Sequence, residues 1–347
     1  MDTPNTPNAR QPTFRRKPID LQHQELVKTR FLGTTEGVPL VIEPNVEGVE
    51  LTRWLGNNIE FIENSLLRYG GVLLRGFPLR TQEDFQSALA ALRFPLMEYK
   101  EGATPRVKLG DRIYTSTEYP PEYSIALHNE LSYVRTWPMK ISFFCVVAPP
   151  VKGETPIADV RRVYQRVPEA IRKRFEEKGW RLVRNYGLGL GPTWQDSFHF
   201  EHRSEVEDYC RKAGVEFEWR GENWLRTQHI RPAVRHHPKT GEAVWFNHTA
   251  FWHISSLPKE IRERFQSSFQ EGDYPYNTYY GDGSIIEEDV AAALREAYDQ
   301  ETVAFPWKEG DMLLLDNMLV AHGRSTFSGP RRILTAMGEP FTPKEGT

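Results

Sequence analysis

The chain of 347 residues carries 44 Lys plus Arg against 47 Asp plus Glu, a formal charge of −3, which argues against a nucleic-acid binder driven by bulk charge. Its two cysteines, Cys145 and Cys210, cannot build a disulfide framework or a multi-thiolate zinc site, and no apolar run reaches the roughly 18 residues of a membrane span. The expectation is a soluble, cytoplasmic protein with neither membrane nor nucleic acid as partner and enough chain to bury a large core. Residues 1–17 are polar and proline-rich without a secretory apolar stretch and read as a flexible arm. Residues 18–347 read as one domain.

Helical patterns are expected over residues 49–69, 81–92 and 168–178, and strands dominate the remainder. Gly70-Gly71 ends the first helix before a buried strand over 72–75, closed by Gly76-Phe77-Pro78. The run KISFFCVV at 140–147 is a second buried strand, stopped by Ala148-Pro149-Pro150. Residues 234–246 read as two strands turning at Pro238-Lys239-Thr240-Gly241. Ser284 and Glu287 have capping-box spacing ahead of a helix reaching Tyr298, followed by strands over 302–305, 310–316 and 331–337. Irregularly spaced strands with few helices predict a mainly β fold, an antiparallel barrel or sandwich with helices packed outside.

A histidine followed two residues later by a carboxylate puts both side chains on one face of an extended segment, two of the three ligands one metal face needs. Three such pairs occur: His23/Glu25, His128/Glu130 and His199/Glu201. A chain this rich in acids makes such pairs by chance, so context decides. His23 lies near the terminus in a helix-like stretch and His199 among charged residues, both expected at the surface. His128 precedes the buried strand at 140–147, where a carboxylate needs a partner or a cation. His322 follows the buried run at 310–316 and supplies a third ligand. Two imidazoles and one carboxylate with open positions form the facial triad of non-haem Fe(II) oxygenases. An arginine one strand away, Arg331 or Arg332, can bind the distal carboxylate of a 2-oxo acid.

These residues sit in motifs that resemble one family, the taurine dioxygenase-like (TauD/TfdA) Fe(II)/2-oxoglutarate-dependent oxygenases, and within it the branch similar to the hydroxylase of syringomycin biosynthesis. The motifs are LHNELSY around His128, GETPIAD at 153–159, RPAVRHHPKTGEAVWFN at 231–247, YGDGS at 280–284 and WKEGDMLLLDNMLVAHGRSTFSGPRRIL ending at Leu334. The resemblance implies a double-stranded β-helix (jelly roll, cupin-like), iron held by His128, Glu130 and His322, and cofactors Fe(II), 2-oxoglutarate and O2. It implies that Thr155 assists the 2-oxoglutarate carboxylate and that Arg332 pairs with it, with Arg331 as fallback because alternation points it the other way. A second arginine four residues beyond grips sulfonate in the taurine enzymes, and here that position is Ala336, which counts against taurine. Lys152 stands where the family's loop has glycine. Halogenating relatives replace the carboxylate ligand with a small residue. Glu130 keeps it, so oxygenation is expected.

The resulting expectation is a dioxygenase that hydroxylates an unactivated C–H of an amino acid or amino-acid-derived substrate in specialised metabolism, free or presented by a carrier protein, with decarboxylation of 2-oxoglutarate to succinate and CO2. Asn129, between two ligands, and Asn247, at the end of a core strand, are candidate substrate residues, whereas His248 and His253 beside Phe251-Trp252 read as packing. Two alternatives stay open. One is an oxygenase of another small carboxylate, by hydroxylation, desaturation or cyclisation. The other is a non-catalytic jelly-roll binding protein that holds a metal.

Overall fold

The structure is a computed structural model that describes residues 26–33, 36–98, 109–110, 112–116, 119–189 and 191–344, so the expected arm at 1–17 and His23 lie outside the described residues. Its centre is a pair of β-sheets. The larger, eight-stranded among the described residues, runs in the order Val27–Arg30, Leu40–Pro44, Gly71–Leu74, Met312–Asp316, Trp137–Val147, Arg332–Phe341 and Leu96–Met97, with Ile113–Thr115 also pairing the strand Arg332–Phe341. The smaller orders Thr302–Val303, Ile157–Asp159, Val320–Arg324 and Ile125–His128. Apart from Leu40–Pro44, which runs parallel to Gly71–Leu74, the strands in these two facing sheets pair antiparallel, as in the jelly roll expected from the motifs.

The continuous apolar run at 140–147 is explained by cover on both faces. Ile141, Phe143 and Cys145 pack inward with Leu313 and Leu315 against Ile157, Ala158, Val320 and Ala321 of the smaller sheet. Phe144 points the other way, with Met312, Leu314 and Leu334, onto Leu55, Ile62, Leu66 and Phe85 of the flanking helices, and its ring stacks on Phe85 at 5.2 Å. Arg75 and Asp311, both buried, meet at 2.7 Å and tie Gly71–Leu74 to the head of Met312–Asp316.

Three expectations shift in detail. The helix over 49–69 is two helices, Leu51–Asn57 and Ile59–Tyr69, because the Asn58 amide donates back to the Trp54 carbonyl at 2.7 Å and offers the backbone a competing partner. No Ser284/Glu287 capping box forms. The helix is Glu288–Glu301 with Glu287 at its N-cap, the Glu287 carboxylate is held by Arg174 at 2.7 Å, and the Ser284 hydroxyl bonds Asp282 instead. The strand expected over 302–305 is only Thr302–Val303, while the last strand is longer, Arg332–Phe341. Among the described residues no helix is long and apolar enough to cross a membrane.

A third sheet, Glu216–Trp219, Leu225–Arg231, Trp180–Tyr186 and Tyr276–Tyr280, was not separated from the other strands by sequence patterning. With the short helix Thr249–Trp252 it brings aromatic side chains to the mouth of the smaller sheet.

Candidate metal centre

The strand pair Ile125–His128 and Val320–Arg324 places His128 directly opposite His322, with ring centroids 4.5 Å apart. Glu130 follows in a turn that Leu131 enters at φ 55°, and its Oε2 lies 3.7 Å from His322 Nε2. Ligand atoms of His128, Glu130 and His322 all lie within 4.8 Å of one another. The spacing read from the sequence is thus a spatial cluster, built from two adjacent strands and one turn. Among the described residues the pair at His199 gives no such cluster. His23 is outside the described residues, and His199 and Glu201 are exposed.

The donor set fits a divalent ion. His128 Nδ1 is 2.9 Å from the Ala126 carbonyl, a contact only an N–H can make, so Nε2 carries the lone pair for a metal. His322 Nδ1 is buried without a hydrogen-bond partner among the described residues, and Nε2 is the nitrogen beside Glu130. Glu130 is 4% exposed, and a cation between these groups would offset the cost of burying its carboxylate.

The backbone of Glu130 is clamped by one side chain that sequence reading missed. Asn317, fully buried, accepts the Glu130 N–H on Oδ1 at 2.7 Å and donates through Nδ2 to the carbonyls of Glu130 at 2.9 Å and Pro138 at 2.8 Å. Asn129 donates to the Asn317 carbonyl at 2.7 Å. Asn129 therefore faces away from the cluster, as alternation requires, and belongs to this network rather than to either cavity at the centre. Asn247 is likewise occupied: it donates to the Ala233 carbonyl at 2.8 Å and accepts the Thr249 N–H at 2.9 Å, capping the helix Thr249–Trp252. The geometry gives both candidate substrate residues structural bonds. His248 packs its ring 5.5 Å from His128 and bonds Ser132 Oγ at 2.6 Å. Burial above all holds its pKa well below the usual value, so it is neutral.

A crevice beside the cluster is lined by Ser116, Phe143, Thr155, Arg324 and Arg331 together with both histidines. Here the arginine order is reversed. Arg331 is half-buried and lines the crevice, donating to the Gly153 carbonyl at 3.0 Å and Ser116 Oγ at 3.2 Å, whereas Arg332 is exposed at the start of the strand. Alternation holds along this strand: Arg331 falls on the side of Ile333 and Met337, which face the smaller sheet, and Arg332 on that of Leu334 and Ala336, which face the outer helices. Counting four residues from Arg331 arrives at Thr335 instead of Ala336. Neither is arginine, and Ala336 packs against the outer helices. Burial, with Arg324 beside it second, pushes the Arg331 pKa down to about 10. It stays charged at neutral pH, so an incoming carboxylate would relieve a real desolvation cost. Thr155, buried, faces the same crevice and accepts from Trp307 Nε1 at 3.2 Å. Lys152 takes the left-handed conformation, φ 55°, that the family's glycine adopts without a Cβ penalty. As it stands the crevice encloses about 30 Å³, room for a water, so a dicarboxylate requires these side chains to move apart.

Arg324 was also not singled out by sequence reading. It donates to the carbonyls of Tyr119, Pro120 and Tyr123 at 2.7 to 2.8 Å and so fixes a loop that walls a second, larger cavity. That cavity encloses about 520 Å³. Ile125 is common to both cavities, and Phe251, which lines the larger one, holds its ring 4.9 Å from His128.

Comparison with known proteins agrees with the site. The family model for the taurine catabolism dioxygenase TauD, TfdA family matches residues 34–337. The chain is similar to the dapdiamide synthesis protein DdaC of Enterobacter agglomerans, 36% identical over 282 residues, covering 81% of this chain and 86% of that protein. It is also similar to a clavaminate synthase-like protein of Arabidopsis thaliana, 30% identical over 318 residues, covering 86% and 93%. Among solved structures, PvcB from Pseudomonas aeruginosa superposes with a TM-score of 0.56 at 17% identity over 93% of this chain and 95% of that one, which shows the shared fold. The chain belongs to the TauD/TfdA family and is a non-haem Fe(II)/2-oxoglutarate-dependent dioxygenase.

Proposed function

We propose that this dioxygenase hydroxylates an unactivated C–H bond of an amino acid or amino-acid-derived substrate in specialised metabolism, in the cytoplasm, free or presented by a carrier protein. The reading includes a place beside the syringomycin-type hydroxylases. The observation that carries it is the adjacency of the His128, Glu130 and His322 cluster to two cavities of different character: a crevice lined by Arg324 and Arg331, and a larger, mostly apolar chamber whose Phe251 ring packs against His128. The likeness to a protein of dapdiamide synthesis supports a biosynthetic substrate.

In this reading His128, Glu130 and His322 hold Fe(II), and Thr155 and Arg331 hold 2-oxoglutarate, with Arg332 outside the site. Bound iron supplies O2 activation, coupling decarboxylation of 2-oxoglutarate to oxidation of the substrate. The chain's own groups do the positioning. The Ala126 carbonyl fixes the His128 tautomer, Asn317 fixes the Glu130 backbone, and Trp307 orients the Thr155 hydroxyl. Phe143 and Ile125, which line the crevice at the cluster, and Phe251, whose ring packs 4.9 Å from His128, exclude water there. With Glu130 retained as a charged ligand, an added halide has no vacated position, so the outcome is oxygenation.

The test is succinate release by the Fe(II)-loaded enzyme, measured against free amino acids, their N-acyl derivatives and carrier-bound amino acids. The reading expects at least one to raise succinate well above the substrate-free rate, with an oxidised product gaining one oxygen. Stimulation only by carboxylates unrelated to amino acids contradicts it.

A further inference from the structure

The larger cavity contains a cation that the chemistry at iron does not use. Arg184, on the strand Trp180–Tyr186, lines it together with Tyr119, Tyr123, Phe251, Trp252, Leu257 and Tyr276, and is the one charged side chain among the described lining residues. Its guanidinium lies 4.7 Å from the ring centroid of Tyr186 and 4.7 Å from that of Trp252. Stacking of this kind occupies the faces of the planar group and leaves its N–H edge for an acceptor. Among the described residues no carboxylate pairs with Arg184, whereas Arg174, Arg211 and Arg220 each have at least one. An aromatic chamber with a single rigidly stacked guanidinium at one end suits a ligand with an apolar body and one anionic end.

The geometry points to Arg184 as the specificity-determining residue for the primary substrate, gripping a free carboxylate while the apolar body runs past Trp252 and Phe251 toward His128. This rests on the proposed function, and it narrows the substrate to an acid. A carboxylate fits better than a phosphate: one guanidinium edge matches two carboxylate oxygens bidentately, and no second cation lines the chamber among the described residues to meet a dianion. The route to the metal is short. Phe251 and Trp252 are consecutive on one helix, and the Phe251 ring is in contact with His128.

The test uses matched probes, the N-acetyl derivatives of L-leucine, L-phenylalanine and L-tryptophan against their primary amides, with binding to the intact protein measured by calorimetry with and without anaerobic Fe(II) and 2-oxoglutarate. Wild-type protein should prefer at least one acid over its amide by about ten-fold or more, as a charge-assisted pair predicts. Arg184→Gln should bring that ratio to about one with amide affinity unchanged, which also shows that the chamber is intact. Arg184→Lys, keeping the charge without the fork, should fall between. No preference for any acid in wild type, or a preference that survives Arg184→Gln, overturns the assignment. So does binding of 4′-phosphopantetheine that depends on Arg184 when no acid binds. The cofactor reading is checked separately by the visible charge-transfer band of the Fe(II)–2-oxoglutarate protein. Loss of that band leaves the acid preference measurable, so the two readings fail independently.

Discussion

Replacing Asn317 by alanine isolates the contribution of one buried amide to the metal centre. The substitution removes three bonds and leaves the Glu130 N–H and the carbonyls of Glu130 and Pro138 without their Asn317 partners, in a position with no exposure. A buried polar group stripped of its partner costs about 1 to 3 kcal/mol, and carbonyls sit at the lower end because they have a second lone pair. The sum is about 3 to 5 kcal/mol, a large share of a typical stability of roughly 5 to 15 kcal/mol. Because the lost bonds hold the turn that aims Glu130, Fe(II) affinity should fall by roughly 10 to 100-fold even at temperatures where the variant is folded. Asn129→Ala is the internal control. It removes a single donor to the Asn317 carbonyl and should cost about 1 kcal/mol with little change in iron binding. Urea unfolding and anaerobic Fe(II) titration, both on the purified variants, read the two effects. A loss under 1 kcal/mol for Asn317→Ala with unaltered iron affinity would refute the clamp.

Two further outcomes follow from local geometry. A Cβ on Gly323 would sit 2.6 Å from the Ile125 carbonyl oxygen on the strand that carries His128, so Gly323→Ala should lower stability by about 1 to 3 kcal/mol and weaken iron binding by parting His322 from His128; an unchanged melting temperature refutes this. His253 is buried as the neutral ring, its Nδ1 accepting the Ser255 N–H at 3.2 Å and its Nε2 donating to the Ile286 carbonyl at 3.1 Å, and burial lowers its pKa. Its contribution is therefore present above the unfolded pKa of about 6.5 and is lost as pH falls below it, by at most about 1.4 kcal/mol per pH unit. Melting temperature should drop between pH 6.5 and 5.5, and His253→Gln should flatten that slope.

The metal cluster was legible because the two strands bearing His128 and His322 are neighbours and because Glu130, though it sits in a turn, follows His128 closely enough in the chain to reach the same cluster. The short apolar runs pointed only to a barrel or sandwich with outer helices, and the jelly roll came from the family resemblance. The arginine was not legible. The resemblance aligned Arg332 with the family's arginine, one residue away from Arg331, which lines the crevice on the side of Ile333 and Met337. Asn317 was hidden because an Asn after Asp316 at the end of an apolar run reads as an ordinary turn residue, while its partners Glu130 and Pro138 are nearly two hundred residues away in the chain. Arg184 was hidden because RLVRNY has no feature that separates a solvated arginine from one stacked between aromatics from other elements. Pairing with other parts of the chain, which periodicity does not encode, accounts for Asn317 and Arg184.

The arginine that meets 2-oxoglutarate beside the iron decides how the site works. Anaerobic addition of Fe(II) and 2-oxoglutarate to the apoprotein should produce the weak visible metal-to-ligand charge-transfer band, with the 2-oxoglutarate concentration for half-saturation as the readout. Arg331→Ala should raise that concentration by about ten-fold or more, as loss of a buried charge-assisted pair requires, and Arg332→Ala should leave it unchanged. A band that survives Arg331→Ala with wild-type saturation, or one lost with Arg332→Ala, would contradict the site as built here.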